Sequence, residues 1–294
     1  MNVAPSANWR FCTRALLAVA IILTWSMPNH AQLPKPADDT DRVNAERSSR
    51  VMKEMRMLAK ALKIVRQGAK PGESEKLIEE PLFRHNGLAR IYEDGTTWAW
   101  GAKGRPIAFC KLFTSNSEAG FWTYCNALTS TDLIEMYRGD ERIWYPQSVG
   151  IAFKPFSDFP SPSEKSTVRL RQMKELARRF SAHEVIYPPV SLMKSRHELQ
   201  LKPQPVHRYD DTDQSIVDGA VFIIAHEAEP EMILLIEAIK PNGKLSWQFG
   251  AVGIGGAEFH LALDGAEVYT RPWAKDAAGL PTESFFGFVR HKDK

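Results

Sequence analysis

The sequence predicts an α+β fold: a mostly antiparallel β-sheet of meanders, possibly divided into two sheets, covered by two long amphipathic helices. Over 88–130 and 198–272, alternating or continuous apolar runs are separated by short turn-forming connections, such as EDG at 93–95. This pattern is typical of antiparallel strands. The continuous runs AVFIIA and MILLIEAI are expected to be buried on both faces of a sheet. Two other segments, 45–67 and 161–185, carry apolar residues at intervals of three and four, which favours helices with one apolar face.

The first 31 residues have the three-part pattern of a secretory signal. Arg10 and Arg14 precede the apolar run Ala15–Trp25, and the polar stretch SMPNHA follows it. The run is about half of the ~20 residues that a membrane-spanning helix needs. We therefore predict a signal peptide over 1–31, cleaved after Ala31, and export to the periplasm or the outside. Asn29 is larger than the residue usual at its position, so an uncleaved anchor is the alternative.

The balance of charges limits the kinds of partner that the protein is expected to bind. Lysine and arginine number 38 against 35 acidic residues, and without the signal segment the counts are 36 and 35. No basic field remains that would indicate a nucleic-acid partner. We also predict no transmembrane span after signal cleavage and no cofactor.

The chain is predicted to be organised in five stretches after the signal. Residues 32–44 are polar and contain two prolines, which predicts a flexible linker. Residues 45–160 combine a helix with an aromatic-rich β-meander, and 161–197 hold a second helix and a connection. A second β-rich part, 198–274, is expected in the same domain, followed by a C-terminal tail at 275–294.

The two helices are read from their apolar stripes and their ends. The first stripe consists of Val51, Met55, Leu58, Leu62 and Val65. The basic residues around that stripe also allow a helix lying on a membrane surface, although packing on the protein's own sheet is the simpler interpretation. The second helix is predicted to begin at the cap Ser161, with Pro162 in its first position.

Two cysteines remain after removal of the signal. Cys110 and Cys125 lie in strand-like runs on either side of SNSEAG. If the hairpin tip falls at Ser117 and Glu118, the two cysteines are directly opposed and can form a disulfide. Two buried free thiols are the alternative.

The aromatic residues supply the candidate binding site. On the strand TTWAW the two tryptophans share one face, and on FWTYCNAL a tryptophan and a tyrosine do the same. An exposed band of this kind would suit the apolar faces of sugar rings, whereas a buried band is ordinary core. The candidates are Trp98, Trp100, Trp122 and Tyr124.

Other motifs do not meet their spacing requirements. HEAEPE at 226–231 lacks the second histidine of a zinc protease. Asp211, Asp213 and Ser215 match the first ligand positions of a calcium loop, but Ile216 and Phe222 replace the required Gly and Glu. We predict no catalytic residue and no metal site beyond these weak calcium candidates. The spaced carboxylates Glu227, Glu229, Glu237 and Glu258 could serve glycoside hydrolysis only if they converge in space.

Four stretches carry a resemblance: DGTTWAWGAKGRP, RLRQMKELARRFSAHE, ELQLKPQPVHRYDD and DGAVFIIAHEAEPEMILLIEA. On these, over about 80–273, the chain resembles a family of uncharacterised secreted bacterial proteins. The resemblance implies export and a recurring architecture, and no activity. We expect an exported, non-enzymatic protein that binds a protein or a polysaccharide through a β-sheet face. An envelope carbohydrate hydrolase and a structural homo-oligomer subunit are the alternatives.

Overall fold

The computed structural model describes residues 39–70, 72–87, 92–101, 103–115, 120–187 and 194–291. Residues 43–294 group into one compact unit, and 1–42 form a separate one of which only the start of the first helix is described. The helices are α1 (Asp39–Lys60) and α2 (Ser166–Ala177). The strands are β1 (Leu62–Arg66), β2 (Phe83–Gly87), β3 (Tyr92–Trp100), β4 (Ala108–Ser115), β5 (Phe121–Leu128), β6 (Ile134–Arg138), β7 (Glu141–Trp144), β8 (Lys154–Pro155), β9 (Phe180–Ile186), β10 (Ser195–Leu201), β11 (His207–Asp211), β12 (Ile216–His226), β13 (Glu229–Ile239), β14 (Ser246–Gly253), β15 (Glu258–Leu263), β16 (Ala266–Arg271) and β17 (Phe285–His291).

These strands form three antiparallel sheets. Sheet I has the order β17-β5-β4-β3-β2, and sheet II has the order β16-β15-β9-β10-β12-β13-β14-β8, with β11 paired to β12. A small sheet III has the order β1-β6-β7. Sheet II curls, so that its two edges approach each other and Lys154 Nζ on β8 donates to the carbonyl of Val268 on β16 at 2.5 Å.

Alternation of side chains gives each large sheet buried residues on both of its faces. One face of sheet I packs on α1 and sheet III, with Met55 of α1 in this core. Its other face packs on sheet II through residues such as Phe109 and Ile223. Helix α2 covers the other face of sheet II. Leu176 of the helix and Phe222 of the sheet lie in the same core. As their continuous apolar runs predicted, β12 and β13 are buried on both faces.

The predicted fold class is wrong in its helices. The chain is 49% strand and 15% helical, a mainly β protein with a large curled sheet. Helix α1 ends at Lys60, because Leu62 and Ile64 are buried with a period of two in β1, opposite β6. Helix α2 has 12 residues, and the last residues of the predicted helix, 180–185, instead belong to β9, which lies between β10 and β15. Local helix periodicity was outweighed there by strand pairing.

Three smaller predictions also fail. Helix α2 is capped by Lys165, not Ser161, without a side-chain hydrogen bond. The C-terminal tail contains β17, which completes the edge of sheet I beside β5. The stretch EDG, expected as a turn, lies inside β3. Among the described residues, no helix has the length and apolar character needed to cross a membrane.

Candidate functional site

The predicted aromatic band is core. Trp98 and Trp100 are 0% and 1% exposed, and Trp122 and Tyr124 are buried with them on the face of sheet I under α1. The Trp98 indole donates to Thr96 Oγ1 at 2.8 Å, a hydroxyl that in turn contacts the sulfur of Met55 on α1. A platform for sugar rings is therefore excluded at these residues.

The predicted disulfide is also wrong, and the cause is a register shift of one residue. In the β4–β5 hairpin Cys110 is opposite Asn126, and Cys125 is opposite Lys111. Residues opposite each other share a face, and neighbours along a strand do not. The two thiols therefore project to opposite faces of sheet I, and both are free and buried.

The calcium candidates lie at the turn between β11 and β12, where Asp211 Oδ1 accepts from the backbone N–H of Gln214 at 3.2 Å. Asp213 and Ser215 are exposed. In the described ranges, no group of three or more His, Cys, Asp and Glu side chains is arranged to hold a metal ion. The structure thus gives this loop no ligand cage.

The spaced carboxylates do not converge. Glu237 accepts from Arg105, Tyr209 and Gln248 in one buried network. Glu258 accepts from Tyr187 and His260 at the exposed side of sheet II, and Glu227 is exposed in the β12–β13 turn. Glu229 belongs to a third network, and that network borders a cavity.

This cavity, of about 460 Å³, lies between sheets I and II and is the candidate site. Strands β4 and β5 provide one wall. The end of β9, the start of β13 and the segments that follow β14 and β16 provide the other. Alternation along β4 turns Lys111 and Phe113 towards sheet II. The lining residues are Lys111, Phe113, Thr123, Cys125, Ile186, Glu229, Gly255, Gly256, Ala257, Trp273 and Ala277.

The inner end of the cavity is an ion-pair cluster on Lys111. Its ammonium donates to Glu229 Oε1 at 2.7 Å, to the carbonyl of Pro230 at 3.1 Å and to Glu231 Oε1 at 3.5 Å. The three side chains are almost completely buried. An ammonium has three protons, so the protein itself supplies an acceptor for each of them.

His85 on β2 lies beside this cluster and crosses over Gly95 of β3. A Cβ at Gly95 would lie 2.9 Å from Nδ1 of His85, so the glycine gives the ring its space. Burial, and then the charge of Lys111, lower the pKa of His85 to about 3, although Glu229 opposes the shift. The imidazole is therefore neutral at pH 7 and adds no charge to the site.

The segment GIGG, at 253–256, forms the floor on the side of sheet II. The Arg271 guanidinium donates to the carbonyls of Gly253, Gly255 and Ala257, and it lies over the ring of Phe285 at 4.4 Å. A Cβ at Gly255 would overlap the carboxylate of Glu231. The glycines thus let a half-buried cation and a buried carboxylate approach the same backbone.

The thiol that lines this cavity is not an activated nucleophile. Burial is the main cause that raises the pKa of Cys125 to about 11, so its thiol is protonated at neutral pH. Trp273, Phe113 and Ile186 are half-buried and Ala277 is exposed, which places an apolar, partly aromatic mouth in front of the polar inner end. Apolar walls with a few polar groups are typical of small-molecule sites.

The sequence did not lead us to predict this site, although strand β4 carries an indication of it. In AFCKLF the inward positions of β4 are Phe109, Lys111 and Phe113, and a lysine between two inward aromatic residues predicts a buried charge with a partner. The partners Glu229 and Glu231 lie 118 and 120 residues away, so no local pattern connects them. No family model, curated protein or solved structure matches the chain, and the family resemblance stays a prediction.

Proposed function

We propose that this chain is an exported, non-enzymatic binding protein that holds a small molecule in the cavity between its two large sheets. The observation that carries the proposal is the cavity itself: about 460 Å³, with apolar walls at its mouth and charged groups at its inner end. Its volume falls within the ~300–1,000 Å³ that is usual for small-molecule sites. The signal pattern of residues 1–31 supports the export part of the proposal.

Binding is favoured over catalysis by the state of the reactive groups. Lys111 is held by three acceptors, and Cys125 is a protonated thiol. The hydrolase alternative requires two carboxyl groups that reach one substrate bond. Glu229 and Glu231 do meet at Lys111, but Glu231 is 0% exposed and does not line the cavity.

The test is a small-molecule screen on the purified full chain, with thermal stabilisation as the first readout and calorimetry as the second. A ligand present at 100 times its Kd stabilises a protein by about 2.7 kcal/mol. Thr123→Trp would place an indole in the cavity from β5, and it should abolish binding of the compounds that the wild type takes. Val149→Trp, at an exposed residue that does not line the cavity, is the matched control.

Two results would refute the proposal. One is a wild-type protein that no compound of a chemically diverse set stabilises. The other is a set of compounds that bind the Thr123→Trp variant as tightly as the wild type, because their site would then lie elsewhere.

A further inference from the structure

We infer that the outward face of α1 is a docking surface for a membrane that contains anionic lipids. We call this surface the α1 face and define it by Arg50, Lys53, Met57 and Lys60. Helix α1 packs on the face of sheet I that points away from the cavity, so the α1 face is separate from the proposed binding site.

Positive charge is concentrated in one part of the chain. Residues 45–70, which hold most of α1 and all of β1, contain eight lysines and arginines against the two acids Glu46 and Glu54. Residues 71–294 contain 26 lysines and arginines against 30 acids. The near balance of the whole chain therefore conceals a basic segment attached to a weakly acidic remainder. Such a separation of charge indicates an anionic partner on the basic side.

Packing on the protein turns the basic side of α1 outward. Met55 and Ala59 are buried in the core between α1 and sheet I, and Val51 and Leu58 pack against that core. The residues of the α1 face follow one another at steps of three and four, so they share the opposite side of the helix, and all of them are exposed. The protein already covers the apolar stripe of α1, and a membrane would therefore meet its cations.

The α1 face keeps its positive charge. Within the described ranges, its three cations form no ion pair. Three acids, Glu75, Glu79 and Glu80, border a groove beside Lys60 at the end of the helix. Two of these acids are paired with arginines outside the α1 face, so they compensate other charges.

Met57 distinguishes a membrane from other anionic partners. Its side chain is 57% exposed and lies between Lys53 and Lys60 in the helix. An apolar side chain among cations is stabilised when it enters the boundary between lipid headgroups and acyl chains. A nucleic acid offers no comparable environment, since its affinity for a basic surface comes from its phosphates. The combination of cations and exposed methionine therefore favours a lipid surface.

The test is cosedimentation of the purified full chain with vesicles of phosphatidylcholine, with and without about 30% phosphatidylglycerol as the anionic lipid. The readout is the ratio of the two affinities, because any attachment through the apolar run Ala15–Trp25 is common to both vesicles. Each cation near an anionic surface strengthens binding about fivefold, so we expect a preference of roughly 100-fold for the anionic vesicles. The preference should disappear at about 1 M salt, where the screening length is only ~3 Å.

Two triple variants of equal charge locate the surface. One reverses the cations of the α1 face, through Arg50→Glu, Lys53→Glu and Lys60→Glu. The other reverses three exposed lysines elsewhere, through Lys240→Glu, Lys244→Glu and Lys275→Glu. All six side chains are exposed, so both variants should fold. The first should lose the preference for anionic vesicles, and the second should keep most of it.

Three results would overturn the inference. Equal binding of the wild type to both vesicles would show that the α1 face does not recognise anionic lipid. Equal losses in the two triple variants would show that only net charge matters. Tighter binding of the wild type to short duplex DNA than to the anionic vesicles would make the face a nucleic-acid site. None of these results concerns the ligand of the cavity, so the two proposals fail separately.

Discussion

The sharpest consequence of the structure is the cost of removing one charge from the interface between the two large sheets. Lys111→Met replaces the lysine with another unbranched side chain, which is apolar, and so removes the ammonium. The lysine side chain is 2% exposed, and its partners Glu229 and Glu231 are 5% and 0% exposed. The variant therefore leaves two carboxylates close together with little water and without their common cation. Removing one partner of a buried ion pair costs about 3–5 kcal/mol, a large part of the ~5–15 kcal/mol that stabilises a typical domain.

Urea unfolding followed by tryptophan fluorescence measures this loss, because Trp98 and Trp100 are buried. The midpoint should fall at an unchanged dependence on urea. Glu141→Gln is the control: it breaks the exposed pair with Arg138, where the carboxylate is 64% exposed, and it should cost about 0–1 kcal/mol. A loss below about 1 kcal/mol for Lys111→Met would show that the cluster is hydrated or rearranges, and the description of the inner end would then be wrong.

Four further predictions use the same preparations. Gly95→Ala should cost about 1–3 kcal/mol in urea unfolding, because its Cβ would displace the ring of His85; an unchanged midpoint would contradict the close approach. The pKa of His85 is about 3 in the folded state against about 6.5 when unfolded, so stability is fully present above about pH 6.5. It should then fall by up to about 1.4 kcal/mol per pH unit down to about pH 3, and the difference between the wild type and His85→Asn across this range measures that slope. Alkylation without reductant should modify Cys110 and Cys125 only after unfolding, and an intact mass two hydrogens short would instead establish a bridge. Trp98→Ala should cost about 3–5 kcal/mol, as for a fully buried tryptophan, and a loss like that of an exposed residue would contradict its place in the core.

The contrast between sequence and structure is clearest at DGTTWAWG, residues 94–101. Alternation correctly placed Trp98 and Trp100 on one face, because that depends only on the strand period of two. The expected turn at Asp94 and Gly95 was wrong, since the glycine is required by the ring of His85 from the neighbouring strand. Whether the shared face was exposed depended on α1 and sheet III, which no local pattern identifies.

The candidate site shows the same limit in a stronger form. The apolar character of β12 and β13 was predictable, because a strand buried on both faces must be apolar throughout. The pairing of Lys111 with Glu229 and Glu231 was not, since it joins two sheets through residues more than 100 positions apart. The predicted register of the β4–β5 hairpin was wrong by one residue. The error placed the two thiols on the same face of the sheet, whereas they lie on opposite faces.

The sequence by itself determined the antiparallel strands and the apolar content of the central sheet, because these follow from composition and short-range periodicity. Tertiary structure decided where α1 and α2 end, which aromatic faces are covered, and which charges meet. Burial and ion pairing are properties of surfaces brought together from distant parts of the chain. The cavity exists only because sheet I and the curled sheet II close on each other around Lys111.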